Sequence, residues 1–270
     1  MDALKLTALL VGSYLLGSLP FGLWIAWRWR GVDIRTMGSG NIGSTNVGRV
    51  CGPIAGGLVF LLDVLKGLLP PLVLAALHFA SPWQILAALL AILGHNYSVF
   101  LGFKGGKGIA TSLGALLGIA PKVGLTAFAL FGIEVLTVGY VSLGSILGAL
   151  SLPVLMPLFY PGDDCRLAFG VAACLLALYK HRANIQRLRN RTEPKVRLPW
   201  RKSTLTPVPS PTLRERGEAQ QGSSPSSTLQ QKEKERDTPA PESPLSRSVG
   251  EGSGVRVDLP EKEPHAHASQ

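Results

Sequence analysis

Two glycine-rich polar stretches hold the residues best suited to chemistry. The first is Gly38-Ser39-Gly40-Asn41-Ile42-Gly43-Ser44-Thr45-Asn46-Val47-Gly48-Arg49, and the second is Gly102-Phe103-Lys104-Gly105-Gly106-Lys107-Gly108. Glycine lets the backbone turn sharply and approach a ligand closely. Ser, Thr and Asn add neutral hydrogen-bonding groups, while Arg and Lys add charge that suits phosphate. Consecutive backbone N–H groups in such turns form anion-binding concavities. The competing explanation is tight helix-turn-helix connection. The coincidence of glycine with Ser39, Asn41, Thr45, Asn46, Arg49, Lys104 and Lys107 favours phosphate.

Two familiar nucleotide motifs do not fit. Gly38-x-Gly40-x-x-Gly43 matches the dinucleotide fingerprint by letter, but that fingerprint needs a preceding strand and a βαβ unit. The second stretch places Gly108 after Lys107, where a Walker A loop has Ser or Thr, and Leu101 where it needs glycine. His95 and His181 each end an apolar run, and either has the chemistry of a general acid–base or phosphate donor. His181 is the better candidate, because Asn184 lies one helical turn on and shares its face. His78 falls on the far side, and Tyr140, Ser142 and Ser145 form a further polar patch on the near side. The cysteines Cys51, Cys165 and Cys174 have no metal or disulfide spacing. Cys51 reads as a small buried hydrophobe rather than a nucleophile, and no carboxylate cluster suggests a metal.

The elements that position these residues are apolar. The mean hydropathy of +0.26 averages two unlike parts. Residues 1–192 are rich in Leu, Ala, Gly, Val and Ile and hold 15 Lys and Arg against 6 Asp and Glu, whereas the remainder holds 12 against 11. The cations of the first part sit in short loops between apolar runs, which is the positive-inside pattern of a membrane protein and argues against nucleic acid as partner. The first run, Leu4–Trp27, is longer than a signal-peptide core and is followed, not preceded, by Arg28 and Arg30. It reads as a retained span with its N-terminus outside.

Further apolar segments cover about Pro53–Ala80, Trp83–Phe100, Ile109–Ala120, Val123–Gly139, Val141–Tyr160 and Leu167–Tyr179. Asp63 and Lys66 share a helix face inside the second and suit a structural pair as well as a ligand role. The expected fold is an all-α integral membrane bundle of about seven transmembrane helices, with five also satisfying the parity and some helices short or broken. The organisation divides into a membrane domain, 1–192, and a tail, 193–270, whose Pro, Ser, Glu, Lys and Arg content predicts disorder on the cytoplasmic side.

Several segments together resemble one family. They are Ser18-Leu19-Pro20-Phe21-Gly22, the loop Gly38–Asn46, Asp63-Val64-Leu65-Lys66-Gly67, Gly94-His95, Phe103-Lys104-Gly105-Gly106-Lys107-Gly108-Ile109-Ala110-Thr111, and His181-Arg182-Ala183-Asn184-Ile185-Gln186-Arg187-Leu188 with Thr192-Glu193-Pro194 behind it. In order over about residues 4–195, they resemble the bacterial acyl-phosphate-dependent glycerol-3-phosphate acyltransferases. Ser44 replaces the usual alanine, Arg191 replaces the usual glycine, and the tail lies outside the pattern.

The resemblance implies acyl transfer from acyl-phosphate to the 1-hydroxyl of glycerol-3-phosphate, giving lysophosphatidic acid and phosphate, the first acylation of phospholipid synthesis. It implies no cofactor, no metal and no His-x4-Asp motif. It places the enzyme in the bacterial inner membrane, among lipids, in reach of the enzyme that makes acyl-phosphate, with site and tail cytoplasmic. It assigns His181, Ser39 and Asn41 to catalysis. It assigns Gly40, Thr45, Asn46, Arg49, Lys104, Gly105, Gly106, Lys107, Ser142 and Asn184 to substrate binding. A transporter of a small phosphorylated solute is the alternative, suggested by broken spans and buried charges. The two loops show no inverted repeat, which weighs against it.

Overall fold

Residues 3–196 are described by a computed structural model; the chain from 197 onward, with His265 and His267, lies outside the described residues. Among the described residues ten α-helices follow one another: α1 Ala3–Ser18, α2 Phe21–Arg30, α3 Ser44–Cys51, α4 Pro53–Ala76, α5 Ser81–Asn96, α6 Ile109–Ile119, α7 Pro121–Thr137, α8 Val141–Phe159, α9 Asp164–Lys180 and α10 Arg182–Arg189. Short 3-10 turns at Ile34–Thr36 and Val99–Leu101 complete the list, and no strand occurs among the described residues. The chain is an all-α integral membrane protein.

The first apolar run is not one helix. It breaks at Leu19-Pro20, where proline cannot donate to the preceding turn. A carbonyl freed in an apolar setting needs a partner. At the break the Leu16 carbonyl takes the Leu19 N–H at 3.2 Å, and the Leu19 carbonyl takes both the Phe21 N–H at 3.1 Å and the Lys66 ammonium at 3.0 Å. The same ammonium pairs with Asp63 at 2.7 Å and lies 5.5 Å from the Phe21 ring centroid. Both charged side chains are almost fully buried. The pair therefore holds the α1–α2 break against α4.

Apolar side chains point both ways in this fold. Ile92, Leu116, Ile119, Val123, Leu152 and Met156 are buried between helices, whereas Leu61, Leu125, Ile133, Val154, Leu158 and Leu175 are exposed on helix surfaces. Such outward apolar faces suit lipid contact. Helix pairs approach through small residues, as membrane helices do without a hydrophobic drive between them. On α4 and α6 a methyl at Gly67 would run into the Thr111 carbonyl, and one at Gly114 into the Val64 carbonyl.

Among the described residues, four helical stretches are long and apolar enough to cross a membrane: Ala3–Arg30, Pro53–Ala76, Ser81–Leu101 and Val141–Phe159. α7 and α9, with 17 residues each, and α6, with 11, are shorter than the roughly 20 residues of an ideal crossing. The loop before α3, the loop before α6, the start of α8, and α10 with the residues after it all meet at one end of the bundle, around a shared cavity. The described domain runs past the expected boundary at 192: Glu193 bonds to α10, and the Val196 N–H donates to the Gly139 carbonyl at 2.9 Å.

Candidate active site

The cavity has a volume of about 590 Å³ and mixed polar and apolar walls. Three helix N-termini face it. Gly43, Ser44 and Thr45 open α3; Gly108, Ile109 and Ala110 open α6; Val141 and Ser142 open α8; all line the cavity. Each N-terminus carries unpaired N–H groups and a partial positive charge, so their convergence favours an anion. Arg49, Lys107 and Arg187 line the same walls, with Asp63 and Glu193 as the carboxylates there; Arg187 is paired with Glu193 at 2.7 Å.

The first glycine-rich loop is shaped by one buried side chain. Asn46 donates from Nδ2 to the carbonyls of Met37 at 3.0 Å and Asn41 at 2.9 Å, and its Oδ1 accepts the Ser39 N–H at 2.9 Å. Gly38 makes this possible: its φ of +58° is a glycine conformation, and a methyl there would strike Asn46 Oδ1. The Asn41 side chain in turn accepts the Gly43 N–H at 2.8 Å. Asn46, expected to hold substrate, thus spends its amide on the loop itself. Ser39, Asn41, Thr45 and Arg49 line the cavity, and Gly40 does not.

The second loop behaves differently. The Gly105 N–H donates to the Asn96 carbonyl at 3.3 Å and the Gly106 N–H to the His95 carbonyl at 3.0 Å. These bonds cap the end of α5, so the two N–H groups expected to cradle phosphate are already in use. A methyl at Gly106 would meet His95 Nε2, so the imidazole packs directly on the loop. Lys104 is exposed and absent from the cavity walls, whereas Lys107 is half-buried in them. The expectation that both lysines reach one pocket is corrected accordingly.

Lys107 heads a chain of hydrogen bonds. Its ammonium donates to Asn184 Oδ1 at 2.6 Å, the Asn184 amide donates to Glu193 Oε1 at 2.7 Å, and Arg187 Nε donates to Glu193 Oε2 at 2.7 Å. Burial pushes the Lys107 pKa down to about 8; the Glu193 carboxylate opposes this, while Arg187 and Arg49 add to it. Burial disfavours ionised Glu193, but the Ser142 hydroxyl, the Asn184 amide and the Arg187 guanidinium outweigh it and hold the carboxyl below its usual range.

His181 is buried at the junction of α9 and α10, with Nδ1 2.8 Å from the Ala177 carbonyl. A carbonyl only accepts, so Nδ1 carries the proton and Nε2 keeps its lone pair in the neutral ring. Burial, and then the Lys107 charge, push the His181 pKa down to about 4. Ser142 and Ser145 complete the polar wall.

A second, apolar groove adjoins the cavity. Phe60, Ile109, Phe131 and Ser145 line both, and the groove continues past Leu116, Ala127, Gly148, Ala149, Leu152 and Ala173. Cys51, the last residue of α3, is buried in the packing and is not on either wall.

Sequence reasoning missed Glu193, Arg187, Ser44 and the helix N-termini. Glu193 stood inside a recognised motif, Thr192-Glu193-Pro194, but composition assigned it to the tail. Asp63 and His95 also reach the wall, with His95 Nδ1 3.6 Å from Asp63 Oδ1.

The family described as Glycerol-3-phosphate acyltransferase matches residues 7–191. The Glycerol-3-phosphate acyltransferase of Geobacter sulfurreducens is 48% identical over 196 residues, covering 72% of this chain and 97% of that protein. Its counterpart in Geobacter metallireducens is 50% identical over 185 residues, covering 68% and 94%. The glycerol 3-phosphate form of PlsY (YgiH), a crystal structure of an integral membrane glycerol 3-phosphate acyltransferase, is 40% identical with a TM-score of 0.67, over 72% of this chain and 96% of that one. These matches overturn the transporter alternative, and the chain belongs to the glycerol-3-phosphate acyltransferase family, as an acyltransferase of the membrane.

Proposed function

We propose that this acyltransferase takes its acyl group from acyl-phosphate and releases 1-acyl-glycerol-3-phosphate (lysophosphatidic acid) and inorganic phosphate. The observation that carries this reading is the join between two unlike spaces: an anion-favouring cavity opens, through Phe60, Ile109, Phe131 and Ser145, into an apolar groove. A long acyl chain bearing a phosphate head has that same division. PlsY, 39% identical with a TM-score of 0.65, has been solved in a lysophosphatidic acid form, which supports the product.

Acyl-phosphate is a mixed anhydride, so the enzyme's work is positioning and charge stabilisation. The α3 N-terminus with Ser39, Asn41 and Thr45 suits one phosphate; Arg49, Lys107 and Asn184 suit the other. The hydroxyl oxygen of glycerol-3-phosphate attacks the acyl carbon, the new ester bond forms, and the bond from that carbon to the phosphate oxygen breaks.

The hydroxyl proton has two possible acceptors. His181 Nε2 has a lone pair but a pKa of about 4. A phosphate monoester has a second pKa of about 6 and is the stronger base by roughly two units. This favours transfer of the proton to a phosphate oxygen, with His181 orienting the hydroxyl. Seven crossings, from α1–α2, α4, α5, α6, α7, α8 and α9, bring the cavity to the cytoplasmic side of the inner membrane, where the soluble glycerol-3-phosphate is.

Incubating the purified protein with labelled glycerol-3-phosphate and palmitoyl-phosphate should give labelled lysophosphatidic acid with no added cofactor. Turnover with acyl-CoA but not with the acyl-phosphate would overturn the donor assignment.

A further inference from the structure

The residues after α10 were expected to lie outside the working domain, yet one of them closes the hydrogen-bond chain in the cavity. We propose that Glu193 is a positioning residue for acyl transfer: its carboxylate fixes the Asn184 amide so that Asn184 Oδ1 faces Lys107, and supplies the counter-charge that keeps Lys107 protonated. The proposal rests on the reading of this cavity as the phosphate-substrate site.

Three observations support it. First, the Glu193 side chain is only 6% exposed, although it lies in a segment without helix or strand. A buried carboxylate is unfavourable unless paired and hydrogen-bonded, and both oxygens are engaged, by Asn184 at 2.7 Å and Arg187 at 2.7 Å. Second, chemistry dictates the amide orientation. An ionised carboxylate only accepts and an ammonium only donates, so Asn184 must turn its nitrogen to Glu193 and its oxygen to Lys107. Without Glu193 the amide loses one of the two partners that select this orientation, and the nitrogen loses its acceptor. Third, the segment is itself anchored. The Val196 N–H donates to the Gly139 carbonyl at 2.9 Å, and the Lys195 ammonium lies 4.8 Å from the Tyr140 ring centroid. The residues that hold Glu193 in place thus dock on the α7–α8 turn beside Ser142.

The charges acting on Lys107 come from three elements. Glu193 favours its protonated form, while Arg187 on α10 and Arg49 on α3 disfavour it. His181, at the end of α9, is neutral at physiological pH and contributes no charge. A protonated Lys107 is needed for phosphate, so activity falls as pH rises through its pKa. Removing Glu193 lowers that pKa and must move the fall to lower pH. Removing Arg187 must move it to higher pH.

The test is kcat/KM for glycerol-3-phosphate against pH, at saturating palmitoyl-phosphate, because this quantity reports the enzyme form that captures glycerol-3-phosphate, before that substrate is bound. Glu193→Gln should lower kcat/KM about tenfold at neutral pH and displace the alkaline limb downward by about one unit. Glu193→Asp keeps the charge, so it should restore the limb to the wild-type position even where the rate falls. Arg187→Gln should displace the limb upward, and it decides the matter if Glu193→Gln fails to accumulate in the membrane. A wild-type limb in Glu193→Gln, the same displacement in Glu193→Asp, or an unmoved limb in Arg187→Gln overturns the proposal. If the wild-type protein is inactive with the acyl-phosphate, the donor assignment fails separately. The role of Glu193 is then read from calorimetric binding of glycerol-3-phosphate across the same pH range.

Discussion

The two glycine-rich loops read alike as sequence and work differently in the fold. The loop before α3 is shaped from within, by the Asn46 amide, and presents Ser39, Asn41 and the start of a helix to the cavity. The loop before α6 is shaped from without. Its glycine N–H groups cap α5, its Gly106 is packed by His95, and among its side chains only Lys107 lines the cavity. Glycine and cations in a row therefore indicate close backbone approach, but not what is approached. In the first loop internal bonds hold Ser39, Asn41 and a helix start at the cavity; in the second they cap α5 and hold one lysine in place.

The largest expected effect belongs to the second loop. Lys107→Ala removes a charge-assisted phosphate contact worth roughly 1.5–3 kcal/mol, so kcat/KM for glycerol-3-phosphate should fall about ten- to a hundredfold. The same residue sets a pH dependence. Its pKa of about 8 predicts that wild-type activity declines above that pH, and His181, at about 4, should add no limb near its ordinary value of 6.5. A steady-state pH profile checks both.

Next comes Asn46→Ala. It leaves several loop groups without their partner and should cost about 1–3 kcal/mol of local stability. Activity should fall with faster proteolysis or amide exchange in residues 34–46, a change that Lys107→Ala does not produce. Gly106→Ala sharpens the contrast from the other side. The added methyl meets the buried His95 ring, so overpacking of about 1–3 kcal/mol should lower the melting temperature of the purified protein more than it changes substrate KM. An unaltered melting temperature would break the distinction between a loop that binds and a loop that braces. The smallest effect is expected from Lys104→Ala, which should stay within about twofold of wild-type kcat/KM, as surface changes usually do.

Much of this arrangement was legible in the residues. Apolar runs separated by basic loops gave the helices to within a few positions, because lipid demands long apolar segments with internal hydrogen bonding. Lys107, Arg49, His181 and Asn184 were legible as candidates because charge and amide types stood at helix ends, and all four line the cavity. The break at Leu19-Pro20 was not read, although Pro20 was visible, since the Lys66 ammonium that braces it comes from another helix. Lys104 and Lys107 were not separable, because an irregular loop has no periodicity from which to assign a face. Gly105 and Gly106 were credited with phosphate because a sequence does not say which carbonyl an N–H will meet. Glu193 was lost to composition: a short ordered segment merges into a polar tail when residues are averaged over a window.

One kinetic series tests most directly whether acyl transfer takes place in the cavity where the two loops, three helix N-termini and the apolar groove meet. Initial rates of labelled lysophosphatidic acid formation from palmitoyl-phosphate and glycerol-3-phosphate would be measured for wild type, Lys107→Ala and Lys104→Ala, each purified and matched for folded protein. The expected result is a loss of about tenfold or more in Lys107→Ala with Lys104→Ala near wild type. Equal losses in the two variants, or wild-type rates in Lys107→Ala, would contradict the assignment of this cavity as the site of transfer.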